Sequence, residues 1–307
     1  MTGQLDDPTF SGLLSMHFSQ LTPEWEMKME YIVQDDGSFR FDAPDRIAEF
    51  ARANSMRLFG TTLVWYSQSP PAFERLDGQR DAFARAYRDY ILAVAGRYRG
   101  AAGWDVVNEP IAEDGVGLRE HLWAKNLGPI DHMVRAFDHA AEADPQAVLF
   151  LNDYNLENIP RKRVEFMRLV ERLLKQGAKL GGLGTQTHLD IDMPAGAART
   201  AVRELASFGL PIHISELDIS FGRKTLDLRD DPEKLRLQAN VAREVAEAYA
   251  ELPQRQKFAF TVWGLRDQDS WLRRPPNARD GRDQPLLFDD TGRPKPAFNA
   301  LAAALRG

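Results

Sequence analysis

Apolar positions along this chain fall into two alternating rhythms. Short runs that are apolar for most of their length lie at 20–29, 56–65, 103–109, 147–154, 182–189, 211–219 and 257–265. Such runs predict strands covered on both faces. Between them, apolar residues recur at three- and four-residue spacing, the pattern of a helix with one buried face. One helix opens near Asp42, with Pro44 in its first turn, and buries Ile47, Phe50 and Ala51. Proline's fixed φ suits that position. The next, 80–98, rests on Phe83, Tyr87, Ile91 and Val94. Another carries Met133, Val134 and Phe137, and a fourth Phe166, Val170, Leu173 and Leu174, with Gly177 as its C-terminal cap. A fifth ends near Gly209, segment 232–252 is long and helical, and 296–305 is the last helix.

Repeated βα units with short connections predict parallel strands, and eight of them close a (β/α)8 TIM barrel. The pattern supplies seven, because segment 8–18 reads as a loop and helix with no strand in front of it. The expectation is a barrel with its first strand missing, leaving two unpaired edges. The N-terminal peptide, rearranged neighbours or a second copy of the chain would cover them. The last option makes a homodimer. No composition shift or linker divides residues 1–307, so they read as a single catalytic barrel domain.

Composition narrows the chemistry. Hydrophobic residues make up 43% and charged residues 27%, enough for one large core. The net charge of -6 comes without long single-sign blocks, which argues against nucleic acid and anionic membrane as partners. The absence of cysteine excludes disulfides, thiolate metal sites and a cysteine nucleophile. The histidines lack metal-ligand spacing, and Gly181-Gly182-Leu183-Gly184 lacks the Lys-Ser/Thr of a phosphate loop. No metal or cofactor is expected. No apolar run spans a bilayer, and residues 1–7 do not form a signal peptide. The protein then stays inside the cell, or a signal lies upstream; the compartment is left open.

Two acidic residues stand out. Glu109 closes Trp104-Asp105-Val106-Val107-Asn108-Glu109, and Glu216 follows Ile212-His213-Ile214-Ser215. A carboxylate is costly to hold beside a core, and paired carboxylates are the machinery of glycoside hydrolysis. Around them lie Gln20-Leu21-Thr22-Pro23-Glu24-Trp25-Glu26-Met27-Lys28, Thr62-Leu63-Val64-Trp65, Gly184-Thr185-Gln186-Thr187-His188, Ser215-Glu216-Leu217-Asp218, Trp263-Gly264 and Ser270-Trp271-Leu272. These runs, in this order across nearly the whole chain, resemble glycoside hydrolase family 10, the endo-β-1,4-xylanases.

The resemblance implies a retaining hydrolase of β-1,4-linked xylan or xylo-oligosaccharides, from a family whose members are usually secreted. It makes Glu109 the acid/base and Glu216 the nucleophile, with His188 in contact with the nucleophile. Asn108 would bind the sugar 2-hydroxyl, Lys28 and Gln186 the sugar around the cleavage point, and Trp65, Trp263 and Trp271 the walls of that subsite. Gln68 and Trp271 match positions that crowd a hydroxymethyl group, which favours a pentose. Asp218 either orients His188 or a neighbouring donor, or serves at the surface or as a cap. His213, three residues before Glu216, belongs to the other strand face as a structural residue.

Two stretches depart from the family pattern. Trp25 replaces an asparagine on the non-reducing side, and Thr61 and Tyr66 replace two histidines. Weakened action on plain linear xylan, or a preference for a shorter or decorated glycone, is expected. Two other readings remain: a non-catalytic carbohydrate-binding barrel, supported by the altered stretch and the missing strand, and hydrolysis of another β-linked glycan or glycoside, supported by the space Thr61 opens near Gln68 and Trp271.

Overall fold

The computed structural model describes residues 1–222, 229–278 and 282–306. The chain forms two compact units, each assembled from separate stretches: 1–6, 17–153 and 164–184 in the first, 7–16, 154–163 and 185–307 in the second.

In the first unit, β1 (Gln20–Leu21), β2 (Arg57–Trp65), β3 (Gly103–Asn108) and β4 (Val148–Asp153) lie side by side in chain order, all parallel. Helices Asp42–Ala53, Arg80–Arg97 and Asp131–Ala143 connect successive strands and bury the apolar stripes that the spacing marks, including Ile47, Phe83, Tyr87, Val94, Met133 and Phe137. Phe50 is only half-buried. All six residues of β3 are buried, Asp105 among them, which explains a run with little alternation. β5 (Gly182–Thr185) begins here, led in by the Gly181 amide donating to the Leu149 carbonyl at 2.8 Å.

The second unit holds β6 (His188–Asp190), β7 (Ile212–Ser220) and β8 (Lys257–Val262), again parallel. Helix Ala197–Ala206 precedes β7, and helix Asp231–Ala250 precedes β8. The latter starts where the Asp230 carboxylate accepts from the Glu233 amide at 2.9 Å, with Pro232 in the first turn. Helix Pro296–Arg306 packs against it. No described helix is long and apolar enough to cross a membrane.

Three details differ from the pattern-based expectation, and a fourth agrees with it. Run 20–29 keeps only two residues in a strand; Pro23 follows, and Met29–Ile32 is a helical turn. Run 182–189 is broken at Thr187, whose φ of 57° cannot continue a strand, so seven runs yield eight strands. Run 211–219 is β7 nearly as expected, with Glu216 inside it and Leu217–Ser220 continuing as the partners of β6 and β8. Leu174, assigned to a buried stripe, is exposed. Ahead of β1, the described residues hold a 3-10 turn (Gln4–Asp6) and a helix (Pro8–His17) and no strand, as the pattern indicates.

Two buried polar clusters make testable demands on stability. The Lys295 ammonium donates to Asp267 at 3.1 Å and to the carbonyls of Gln284 and Leu286 at 2.6 and 2.8 Å. Burial pushes the Asp267 carboxyl up to about 6, even against the pull of Lys295. Lys295→Met strands the carboxylate and is expected to cost about 3–5 kcal/mol in denaturant melts. Adding Asp267→Asn should restore part of that loss. His121 and His132 meet edge-to-face at 5.0 Å. Burial is the main cause that holds them down at about 3 and about 4 respectively. The folded values lie below the unfolded one near 6.5, so the unfolded chain takes up protons first. Stability is full above pH 6.5 and falls as pH drops toward 4. His132→Phe should flatten that part of a melting-temperature profile.

Candidate active site

Glu109 directly follows β3 and has φ of 55°. A side-chain-bearing residue in this left-handed region costs about 1–3 kcal/mol, so its surroundings must hold it there. Its amide donates to the Asn152 carbonyl at 2.8 Å. The carboxylate is 8% exposed at residue level. It receives the Trp65 indole N–H at 2.8 Å on Oε2 and the Asn108 amide at 3.2 Å on Oε1. Asn108 is itself oriented, because Asn152 Nδ2 donates to its Oδ1 at 3.0 Å and so turns its own NH2 toward Glu109. Gly184 leaves the space this needs: a Cβ there would stand 2.3 Å from Asn152 Oδ1. Register shifts in β2 between Thr61 and Val64, and in β3 between Asp105 and Val107, precede this corner. Such irregularities re-aim side chains.

Of the other predicted residues of the first unit, Lys28 stands beside the Trp65 ring that bonds Glu109. Lys28 Nζ lies 4.6 Å from the centroid of the Trp65 ring and 5.8 Å from that of Trp25. Trp25 is 45% exposed, unusual for an indole of this chain and open to a ligand face. Gln68 is buried, and its Oε1 accepts from the Glu30 amide at 3.1 Å, tying it to the segment after Lys28. Thr61 is buried within β2.

In the second unit, register decides the arrangement. His188 opens β6 opposite Asp218 on β7, which brings His188 Nδ1 to 3.0 Å from Asp218 Oδ2 and Nε2 to 3.5 Å from Glu216 Oε2. Trp271 Nε1 donates to the same Asp218 oxygen at 2.7 Å, and its ring meets His188 edge-on at 5.2 Å. Burial alone would lower the imidazole's pKa, but the two carboxylates outweigh burial and push it up to about 10. His188 is therefore a cation beside Glu216. Asp218 is buried and orients both His188 and Trp271, which overturns its surface or capping alternative. Trp263, just past β8, is buried and donates its backbone N–H to the Leu217 carbonyl at 3.0 Å. Gln186 is buried in the break between β5 and β6. His213 bonds Thr261 at 2.8 Å and packs on Phe258, a structural role.

Sequence reasoning missed Asn152, which orients Asn108, and Arg119, whose Nε donates to the Glu109 carbonyl at 3.0 Å; both lie outside the family runs. A polar residue closing the apolar run 147–154 was the available signal for Asn152. No group of acidic residues and histidines arranged to hold a metal ion occurs among the described residues.

Comparison with known proteins gives these geometries a context. The profile of Glycosyl hydrolase family 10 matches residues 2–304. Exoglucanase XynX of Acetivibrio thermocellus is 32% identical over 97% of the chain, which spans 27% of that protein's length. Endo-1,4-beta-xylanase A of Caldicellulosiruptor saccharolyticus is 37% identical over 93% of this chain and 86% of its own. Xylanase 10B from Thermotoga petrophila RKU-1, solved in complex with xylobiose, superposes with a TM-score of 0.88 at 30% identity, covering 98% of this chain and 89% of its own. The chain shares that fold, a (β/α)8 barrel.

The geometry yields two predictions. With Asp218→Asn, NMR titration of the His188 ring should give a pKa well below about 10, since the strongest charge beside it is gone. Wild-type His188, raised above 6.5, contributes stability that is whole below pH 6.5 and is lost as pH rises through about 10. In the second, Gly184→Ala should push Asn152 off Asn108. Activity should fall by an order of magnitude or more while the far-ultraviolet spectrum stays unchanged.

Proposed function

The chain belongs to glycosyl hydrolase family 10, and on that footing we propose that it cleaves β-1,4-xylosidic bonds in xylan or xylo-oligosaccharides with retention of configuration. Glu109 is the acid/base and Glu216 the nucleophile. The observation that carries this reading is the different company of the two carboxylates. Glu216 lies beside a cationic imidazole, which suits a group that must be ionised to attack C1. Glu109 is held by neutral indole and amide donors. It protonates the departing oxygen in the first step and takes a proton from water in the second.

Asn108, oriented by Asn152, is placed to donate to the sugar 2-hydroxyl, a contact that strengthens in the oxocarbenium-like state. Lys28, Gln68, Gln186, Trp65, Trp263 and Trp271 bind the glycone. Residues 1–307 act as one catalytic domain; the family profile across 2–304 and the interleaved stretches of the two units support this. Trp25 gives the glycone side a broad aromatic surface in place of a small amide, and shifts preference toward shorter or decorated glycones.

Mass spectrometry after treatment with a 2-fluoro-xylobioside should find the sugar on the peptide carrying Glu216, and Glu216→Ala should remove both the adduct and xylan hydrolysis. An adduct elsewhere, or cleavage that survives Glu216→Ala, refutes the assignment. Trp25→Asn should raise kcat/KM on linear xylan roughly tenfold, the worth of one regained polar contact of about 1–3 kcal/mol. An unchanged value removes the proposed role of Trp25.

A further inference from the structure

The strained backbone of Glu109 needs a clamp on its carbonyl side, and the segment that follows supplies one. Residues 110–119 fold back on themselves through an antiparallel bridge between Ile111 and Leu118, and the Arg119 amide donates to the Pro110 carbonyl at 2.9 Å. This return delivers the largely buried Arg119 side chain to Glu109, where Nε donates to the Glu109 backbone carbonyl at 3.0 Å. The same guanidinium holds the Glu113 carboxylate at 3.1 Å and stacks 4.0 Å over the Tyr66 ring. Tyr66 meets Trp65 edge-to-face at 6.1 Å, and Trp65 donates to the Glu109 carboxylate at 2.8 Å. The contacts close a circuit: Glu109 carboxyl, Trp65, Tyr66, Arg119, Glu109 carbonyl.

We propose that Arg119 is a positioning residue for Glu109, fixing the backbone from which the carboxyl is aimed and, through Tyr66, the indole that orients it. The inference rests on the reading of Glu109 as the acid/base. A planar guanidinium can donate along its edge and stack on its face together; an ammonium cannot. A carboxyl released from this circuit still binds sugar nearby but delivers its proton poorly.

The test separates proton delivery from general damage. kcat/KM is measured on xylotriose, whose leaving group needs a proton, and on a dinitrophenyl xylobioside, whose leaving group does not. Arg119→Met should lose about 100-fold on xylotriose, as expected for a displaced acid, and only a few-fold on the aryl substrate. Arg119→Lys should fall between Arg119→Met and wild type. Tyr66→Leu, which removes the stacking surface and keeps the guanidinium, should show the same split to a smaller degree, and carries the test if Arg119→Met does not fold. Equal losses on both substrates, or no loss, overturn the proposal. Glu109→Ala is the control. If it shows the split and the Arg119 and Tyr66 variants do not, only the positioning role fails. If Glu109→Ala itself lacks the split, the acid/base assignment fails first.

Discussion

A carboxylate set into a buried strand end loses water and has to be met by protein donors. Each unit of this fold meets that demand with an indole. Trp65 donates to Glu109 at 2.8 Å, and Trp271 donates to Asp218 at 2.7 Å. Bonds of this kind offset part of the desolvation cost. Tryptophan also brings a broad apolar face, which suits the C–H surface of a pyranose. The two rings proposed as sugar walls therefore also donate to buried carboxylates, Trp65 to Glu109 and Trp271 to Asp218. Substituting either ring also removes a donor from the carboxylate behind it.

The second consequence is electrical asymmetry. Retaining hydrolysis asks two chemically identical side chains to begin in opposite protonation states. On the proposed assignment, His188, 3.5 Å from Glu216, is the positive group on the nucleophile side. Clamped by Asp218, it stays cationic well beyond the range of an ordinary imidazole. That charge is itself buried, so it persists only while both carboxylates face it. Asp218 thereby keeps the residue beside Glu216 charged and in place.

Backbone irregularity occurs at and beside several of the candidate site residues. Glu109 and Thr187 both have positive φ, at 55° and 57°, and β3 and β7 shift register beside Asp105–Val107 and Ile214–Leu217. A regular strand alternates its side chains between the two faces, so consecutive residues such as Asn108 and Glu109 would point apart. Departure from that alternation lets Asn108 donate to Glu109. Single positions cost about 1–3 kcal/mol here, which the hydrogen bonds around them must cover.

The sequence by itself determined the order of strands and helices, because burial on both faces of a parallel sheet demands apolar runs. It also marked Glu109, Glu216 and the aromatic residues as candidates, since their chemistry depends on side-chain identity. It did not determine where run 182–189 breaks, because nothing in the Gln186-Thr187-His188 triplet announces a left-handed residue. That break sets the register of β6 on β7, and register alone puts His188 against Asp218. Likewise, Arg119 reads as one more charged loop residue until a hairpin carries it back to Glu109. Local pattern reports how each residue is covered; only tertiary packing decides which donor reaches which acid.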